Sequence, residues 1–190
     1  MTADEFWQFC QKPENRNKFL ELVRGEVREL PRPTRIHGVV ASNVGFVLNT
    51  YVRRVPGYIA TNGSGVVLER SPDTVVGPDV AYYTDANTFE ELHPRWGDVP
   101  PVLAVEVLSP SDRQSEVSEK VSDYLRTGVK LVWLVDYEGR KVTVYRTSVP
   151  LVVIDENGEL SGEDVLPGFT CRVGDFFCLP GERRAHPNPR

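Results

Sequence analysis

Two hydrophobic periods alternate along the chain, one of three to four residues and one of two, and the switches between them divide it into elements. From Thr34 to Val55 the apolar positions Ile36, Val40, Val44, Val47, Leu48, Tyr51 and Val55 recur at helical spacing, which predicts one amphipathic helix stopped by Pro56 and Gly57. A shorter helix is predicted over 2–11, with Thr2 and Glu5 as a capping box and Phe6, Phe9 and Cys10 facing inward. A third is predicted over 111–126, with Ser109, Ser111 or Asp112 as its cap and Val117, Val121, Tyr124 and Leu125 as its apolar stripe. Period two marks the strands. "KFLELVRGEVREL" reads as a hairpin around Gly25, and "YIATN", "GVVLER", "DVAYYT", "PVLAVEVL", "KLVWLVD", "KVTVYR" and "PLVVID" as further strands. "NGSG", "SPDTVVGP", residues 85–100 and "YEGR" read as connections. This order predicts an α/β fold of the mixed α+β kind, a central mixed sheet flanked by helices. The tail "GERRAHPNPR" has no apolar period and is expected to be flexible.

Composition narrows this picture. With 190 residues, 40% of them apolar, the chain suits one core, so a single domain is expected over 1–180. The net charge of −5 excludes a histone-like or bulk-electrostatic mode of nucleic-acid binding, and leaves only local recognition of phosphates. Cys10, Cys171 and Cys178 form no CxxC pair and no disulfide framework, consistent with a reducing compartment. No leader pattern opens the sequence and no apolar run is long enough to cross a membrane, so a cytoplasmic protein with no membrane partner is expected.

One residue breaks the apolar pattern where it matters. In a strand over 101–108, Val102, Ala104, Glu106 and Leu108 share one face and Leu103, Val105 and Val107 the other. Both faces are apolar, so the strand is central and Glu106 is at least half buried. A carboxylate there must bind a cation, pair with a base, accept several hydrogen bonds or stay protonated. Asp79, after "VVGP", opens the strand "DVAYYT" and converges with Glu106 if the two strands are neighbours. Two converging carboxylates favour a hard cation such as Mg²⁺, with water and substrate phosphate oxygens as its other ligands. Lys120, at the edge of the third helix's apolar stripe, can lay its stem along the core and bring its ammonium to Glu106. Glu116 lies one turn before it, to pair with it or to add an oxygen to the site.

Together "GPDVAYYT", "VLAVEVLSPSDR", "EKVSDYLRTGVKLVWLVD" and "KVTVYR", preceded by "MTADEFWQF" and "FLELVRGEV", resemble the Uma-type restriction endonuclease family, a branch of the PD-(D/E)XK nuclease superfamily. The resemblance covers residues 1–178. It implies a restriction-endonuclease-like core and metal-dependent hydrolysis of DNA phosphodiesters, with Mg²⁺ as cofactor and Mn²⁺ as a substitute. It places Asp79 at the motif aspartate and Glu106 at the opening of D/E-x-K. Leu108 stands where the motif lysine would be, and the resemblance assigns that role to Lys120. It further implies that the Val107 carbonyl completes the metal shell, that Glu116 replaces an aspartate of relatives and that Glu26 is another acidic family position. Homodimers are expected, since cutting both strands uses two sites related by two-fold symmetry.

Other readings of these residues stand beside this one. A lone strand glutamate is commonly half of a buried ion pair, Asp79 after Gly-Pro a turn residue, and Lys120 a solvated helix lysine. His37 reads as a helix-start or core-edge residue as well as a candidate base. Tyr82, Tyr83, Tyr124 and Trp133 read as core aromatics. The alternative to an enzyme is a nuclease fold whose cleavage role has decayed, serving as a nucleic-acid-binding or protein-interaction module.

Overall fold

A computed structural model describes residues 1–110 and 112–182. Helix α1 spans Ala3–Gln11 and is followed by the hairpin β1 (Phe19–Val23) and β2 (Glu26–Leu30). Helix α2 spans Arg35–Val52, and β3 (Tyr58–Thr61), β4 (Val66–Glu69), β5 (Thr74–Val76), β6 (Val80–Tyr83) and β7 (Leu103–Val107) come next. Helix α3 spans Gln114–Arg126 and precedes β8 (Leu131–Asp136), β9 (Lys141–Arg146), β10 (Val149–Asp155), β11 (Glu159–Ser161) and β12 (Thr170–Arg172).

The central sheet is mixed, as expected, with strand order β10-β9-β8-β7-β6-β3. Only β7 and β8 run parallel, so the chain must cross over between them, and α3 makes that crossover. One sheet face, with Leu103, Val105, Leu131, Trp133 and Val135, packs on Val40, Val44 and Leu48 of α2 and on Phe169 and Phe176 near the C-terminus. Ala104, Val132 and Leu134 on the other face pack on Val121 and Tyr124 of α3 and on Val66, Leu68 and Val76 of β4 and β5. Each such Val, Leu or Phe side chain contributes about 1.5–3 kcal/mol when fully buried. Strand β7 is enclosed on both faces, which explains its near-continuous apolar sequence.

Four expectations need correction. The hairpin does not join the central sheet; it forms a second, antiparallel sheet of order β2-β1-β5-β4, because Leu22, Val67 and Val75 pack under Ala3 and Phe6 of α1 instead. The stretch "SPDTVVGP" is not only a connection: Thr74–Val76 is the buried strand β5, hidden in sequence by the Pro and Gly residues around it. Helix α3 starts at Gln114, with Arg113 at its N-cap and no side-chain capping bond. Asp112 instead accepts the Ser109 N–H at 2.7 Å, and Ser111 lies outside the described residues. Ile36, expected on the buried face of α2, is 51% exposed. The three cysteines are partly buried and form no disulfide among the described residues. The flexible tail expected over 181–190 falls outside the described residues from 183 onward.

Asp73 ties α1 to the second sheet. Its Oδ2 accepts the Ala3 N–H at 2.7 Å and its Oδ1 the Ser71 N–H at 3.0 Å, with Arg70 3.2 Å away. The Ser71 and Ala3 amides hold its carboxyl below the usual carboxylate range. Because the native value is depressed, this stabilisation is present above about pH 4 and is lost as pH falls through the native value. Asp73→Ala should therefore cost about 1.5–3 kcal/mol at neutral pH. Thermal unfolding of both proteins from pH 7 to pH 2 checks this, with the difference in Tm closing on acidification.

Candidate active site

Register alone brings the two nominated carboxylates together. Strand β6 runs antiparallel to β7 with Val80 opposite Val105, so Asp79, just before β6, comes opposite Glu106 on the same face. The Val107 N–H donates to Asp79 Oδ2 at 2.8 Å, and His37 Nε2 lies 3.2 Å from the same oxygen. That hydrogen bond raises the His37 pKa, against the effect of burial. Gly77 precedes Pro78 for a steric reason, since a Cβ on it would sit 2.2 Å from the Gly63 carbonyl oxygen.

Helix α3 supplies the cation. It leaves the C-terminal end of β7 and returns along the sheet, so Lys120, in its second turn, faces the end of that strand. Its Nζ is 3.0 Å from Glu106 Oε1 and 2.9 Å from Glu21 Oε1. Tyr124, one turn further, donates its hydroxyl to Glu106 Oε1 at 2.6 Å. Burial pushes the Glu106 carboxyl up to about 7; Lys120 pulls it down, while Asp79 and Glu21 push it further up. Burial also works against charge on Lys120, but Glu106 and Glu21 outweigh it and hold the ammonium above lysine's ordinary range. Lys120 is therefore a hydrogen-bond donor and a positive charge, not a base. Burial, with Glu106 alongside, raises the Tyr124 hydroxyl well above its ordinary value, so it stays a donor.

The structure thus gathers Asp79, Glu106, Lys120 and His37 into one cluster. It separates the other candidates from it. Glu26 is exposed at the start of β2, opposite Val23. Glu116 is exposed at the cleft wall, 3.8 Å from Arg113, and does not pair with Lys120. Val107 meets Asp79 through its N–H. Two residues of the cluster escaped the sequence reading. Glu21 accepts the Gly77 N–H at 3.2 Å as well as Lys120, and its signal was of the kind that singled out Glu106: a lone carboxylate inside the apolar run "FLELV". Tyr124 does belong to the core, as its period indicates, but its hydroxyl reaches Glu106, and no sequence period reports that.

These groups open onto a cleft of about 1040 Å³ between the two sheets, walled by α2 and α3. Carboxylates outnumber guanidinium and ammonium groups on its walls, so an anionic substrate entering it needs added positive charge. Each central carboxylate has one oxygen doubly engaged, Asp79 Oδ2 by Val107 and His37, Glu106 Oε1 by Tyr124 and Lys120. Asp79 Oδ1 and Glu106 Oε2 accept no hydrogen bond from the described residues. No three His, Cys, Asp or Glu side chains converge as a ready-made metal shell among the described residues. The donor set fits a hard divalent ion held by one or two carboxylates and completed by water and substrate oxygens.

The site is thus an acidic pair at the adjoining ends of two strands of a mixed sheet, with a lysine from the following helix beside it. The fold is shared with a solved structure described as a "putative nuclease belonging to DUF820" from Anabaena variabilis ATCC 29413, which aligns with a TM-score of 0.79 at 20% identity over 93% of this chain and 97% of that one. The chain belongs to the Uma2 family, described as "Putative restriction endonuclease", whose sequence profile matches residues 3–174. No curated protein matches it.

Glu106 allows a test that needs no substrate. A carboxyl whose native pKa is raised to about 7 is favoured in its protonated form by folding, so its contribution is intact at low pH and lost as pH rises from about 4.3 through the native value. Glutamine keeps an acceptor for Tyr124 and Lys120 but carries no charge. In chelator-treated protein the Tm of Glu106→Gln relative to wild type should rise between pH 5 and pH 8. A pH-independent difference would show that burial does not govern this carboxyl.

Proposed function

We propose that the chain is a divalent-metal-dependent endonuclease that hydrolyses DNA phosphodiesters, with Mg²⁺ as its cofactor and Mn²⁺ as a substitute. The observation that carries this reading is the pair of unengaged oxygens on Asp79 and Glu106 with the Lys120 ammonium beside them. Family membership supports the reaction class. Asp79 and Glu106 would hold the ion through those free oxygens, and the Val107 carbonyl is a further candidate. The ion would supply a polarised water and charge compensation at the phosphate.

The remaining roles belong to the chain itself. Lys120, protonated, offers hydrogen bonds and positive charge to the attacking water and to the charge that develops on the phosphate oxygens. Glu21 accepts a hydrogen bond from the same ammonium. His37 and the Val107 N–H brace Asp79. In-line attack by water would leave a 5′-phosphate and a 3′-hydroxyl, and cutting both strands would use a two-fold dimer of this chain. Leu108 at the motif-lysine position does not argue for a decayed enzyme, because Lys120 brings its ammonium to the same carboxylate.

Plasmid cleavage with Mg²⁺ or Mn²⁺ tests the proposal. Glu106→Ala and Asp79→Ala should abolish cutting, and Lys120→Met should slow it by about 100- to 1000-fold, the usual loss for one preorganised donor. Equal activity in wild type and variants would overturn the site; absence of cutting in wild type with intact metal and DNA binding would favour the binding-module alternative. Mn²⁺ should also raise the wild-type Tm, by the equivalent of about 2.7 kcal/mol at a hundredfold excess over its dissociation constant. Asp79→Ala should lose that rise.

A further inference from the structure

We propose that Tyr124 is a positioning residue for the metal-binding pair: its hydroxyl fixes which oxygen of Glu106 is presented to the cation. This rests on the metal-site reading above and adds to it a residue outside the acid-and-lysine set. The ring of Tyr124 is fully enclosed, packed with Ala104, Val121 and Val132 beneath the site. Its one polar side-chain atom ends 2.6 Å from Glu106 Oε1. Lys120 binds the same oxygen at 3.0 Å from one turn earlier on the same helix.

The two donors differ in how firmly they are held. Lys120 sits at the end of a long flexible stem, with Glu21 as a second partner, so it can turn toward a substrate. Tyr124 is locked by the packing of its ring and has no such freedom. When Lys120 turns away, Tyr124 still keeps Oε1 engaged, so Oε2 remains the oxygen with no donor among the described residues. Asp79 is arranged in the same way, with the rigid Val107 N–H and the side chain of His37 sharing Oδ2. Each carboxylate thus has one fixed donor and one basic side chain on one oxygen, and the other oxygen accepts no hydrogen bond from the described residues. Partners that orient metal-binding groups typically change metal affinity or activity by about 10- to 100-fold when removed.

Mn²⁺ binding, followed by calorimetry and by the metal-dependent rise in Tm, tests this in wild type, Tyr124→Phe, Glu106→Gln and Val142→Ala. Phenylalanine keeps the packed ring and removes only the hydroxyl, so Tyr124→Phe should stay folded yet bind Mn²⁺ about tenfold more weakly. Val142→Ala, a packing change in the core on the opposite face of the sheet, should lower the metal-free Tm and leave Mn²⁺ affinity unchanged. If Tyr124→Phe binds Mn²⁺ like wild type while Glu106→Gln does not, Tyr124 is a packing residue only and the inference fails while the metal site stands. Should Val142→Ala weaken Mn²⁺ as much as Tyr124→Phe, the effect is general loosening and the inference fails too. If Glu106→Gln also binds like wild type, or wild type does not bind at all, the metal-site reading itself is wrong and the inference falls with it.

Discussion

A carboxylate enclosed in an apolar strand needs a counter-charge, and here the ammonium of Lys120 provides it. Strand β7 crosses the middle of the central sheet with both faces covered, an environment that disfavours ionised Glu106 and pushes its carboxyl up to about 7. Lys120 makes that position tenable, and the same contact, with Glu21, keeps the lysine charged. Neither group is comfortable without the other. The pair is a weak source of net stability, because both charges are desolvated.

That arrangement depends on a topological constraint. The one parallel pairing in the sheet, β7 with β8, requires a crossover, and the crossover is the helix that carries Lys120 and Tyr124. The antiparallel pairing of β6 with β7 brings Asp79 to the same strand end. The second sheet closes the other wall and delivers Glu21, whose neighbours Leu20 and Leu22 face the cluster under α1. Gly77 lets that sheet approach, since no side chain fits between it and Gly63. Acids dominate the walls of the resulting cleft.

The central sheet and three helices were legible in the sequence because each follows from a local rule, whereas the meeting of Asp79 with Glu106 was conditional on β6 and β7 being neighbours. Period two in "LAVEV" places Glu106 on a definite face, period 3.6 in "EKVSDYL" places Lys120 beside the stripe, and the capping box at Thr2 and Glu5 is present as expected. The family resemblance supplied what periodicity lacks, namely that these particular residues belong to one site. Strand β5 was not legible, because three residues between Pro and Gly signals are too few for a period. The division into two sheets was hidden as well, since an alternating strand does not say which strand it will pair with.

Determined by the sequence alone, then, were element type, the face on which each side chain sits, and the chemical oddity of a carboxylate in an apolar strand. The tertiary structure decided which polar groups meet. It brought Glu21 to Lys120 from 99 residues away, turned the core tyrosine Tyr124 into a donor to Glu106, and left Glu26 in solvent. The physical reason is range. Periodicity is set by backbone geometry within a few residues, whereas a hydrogen bond between distant strands depends on how whole sheets pack, and no local pattern encodes that.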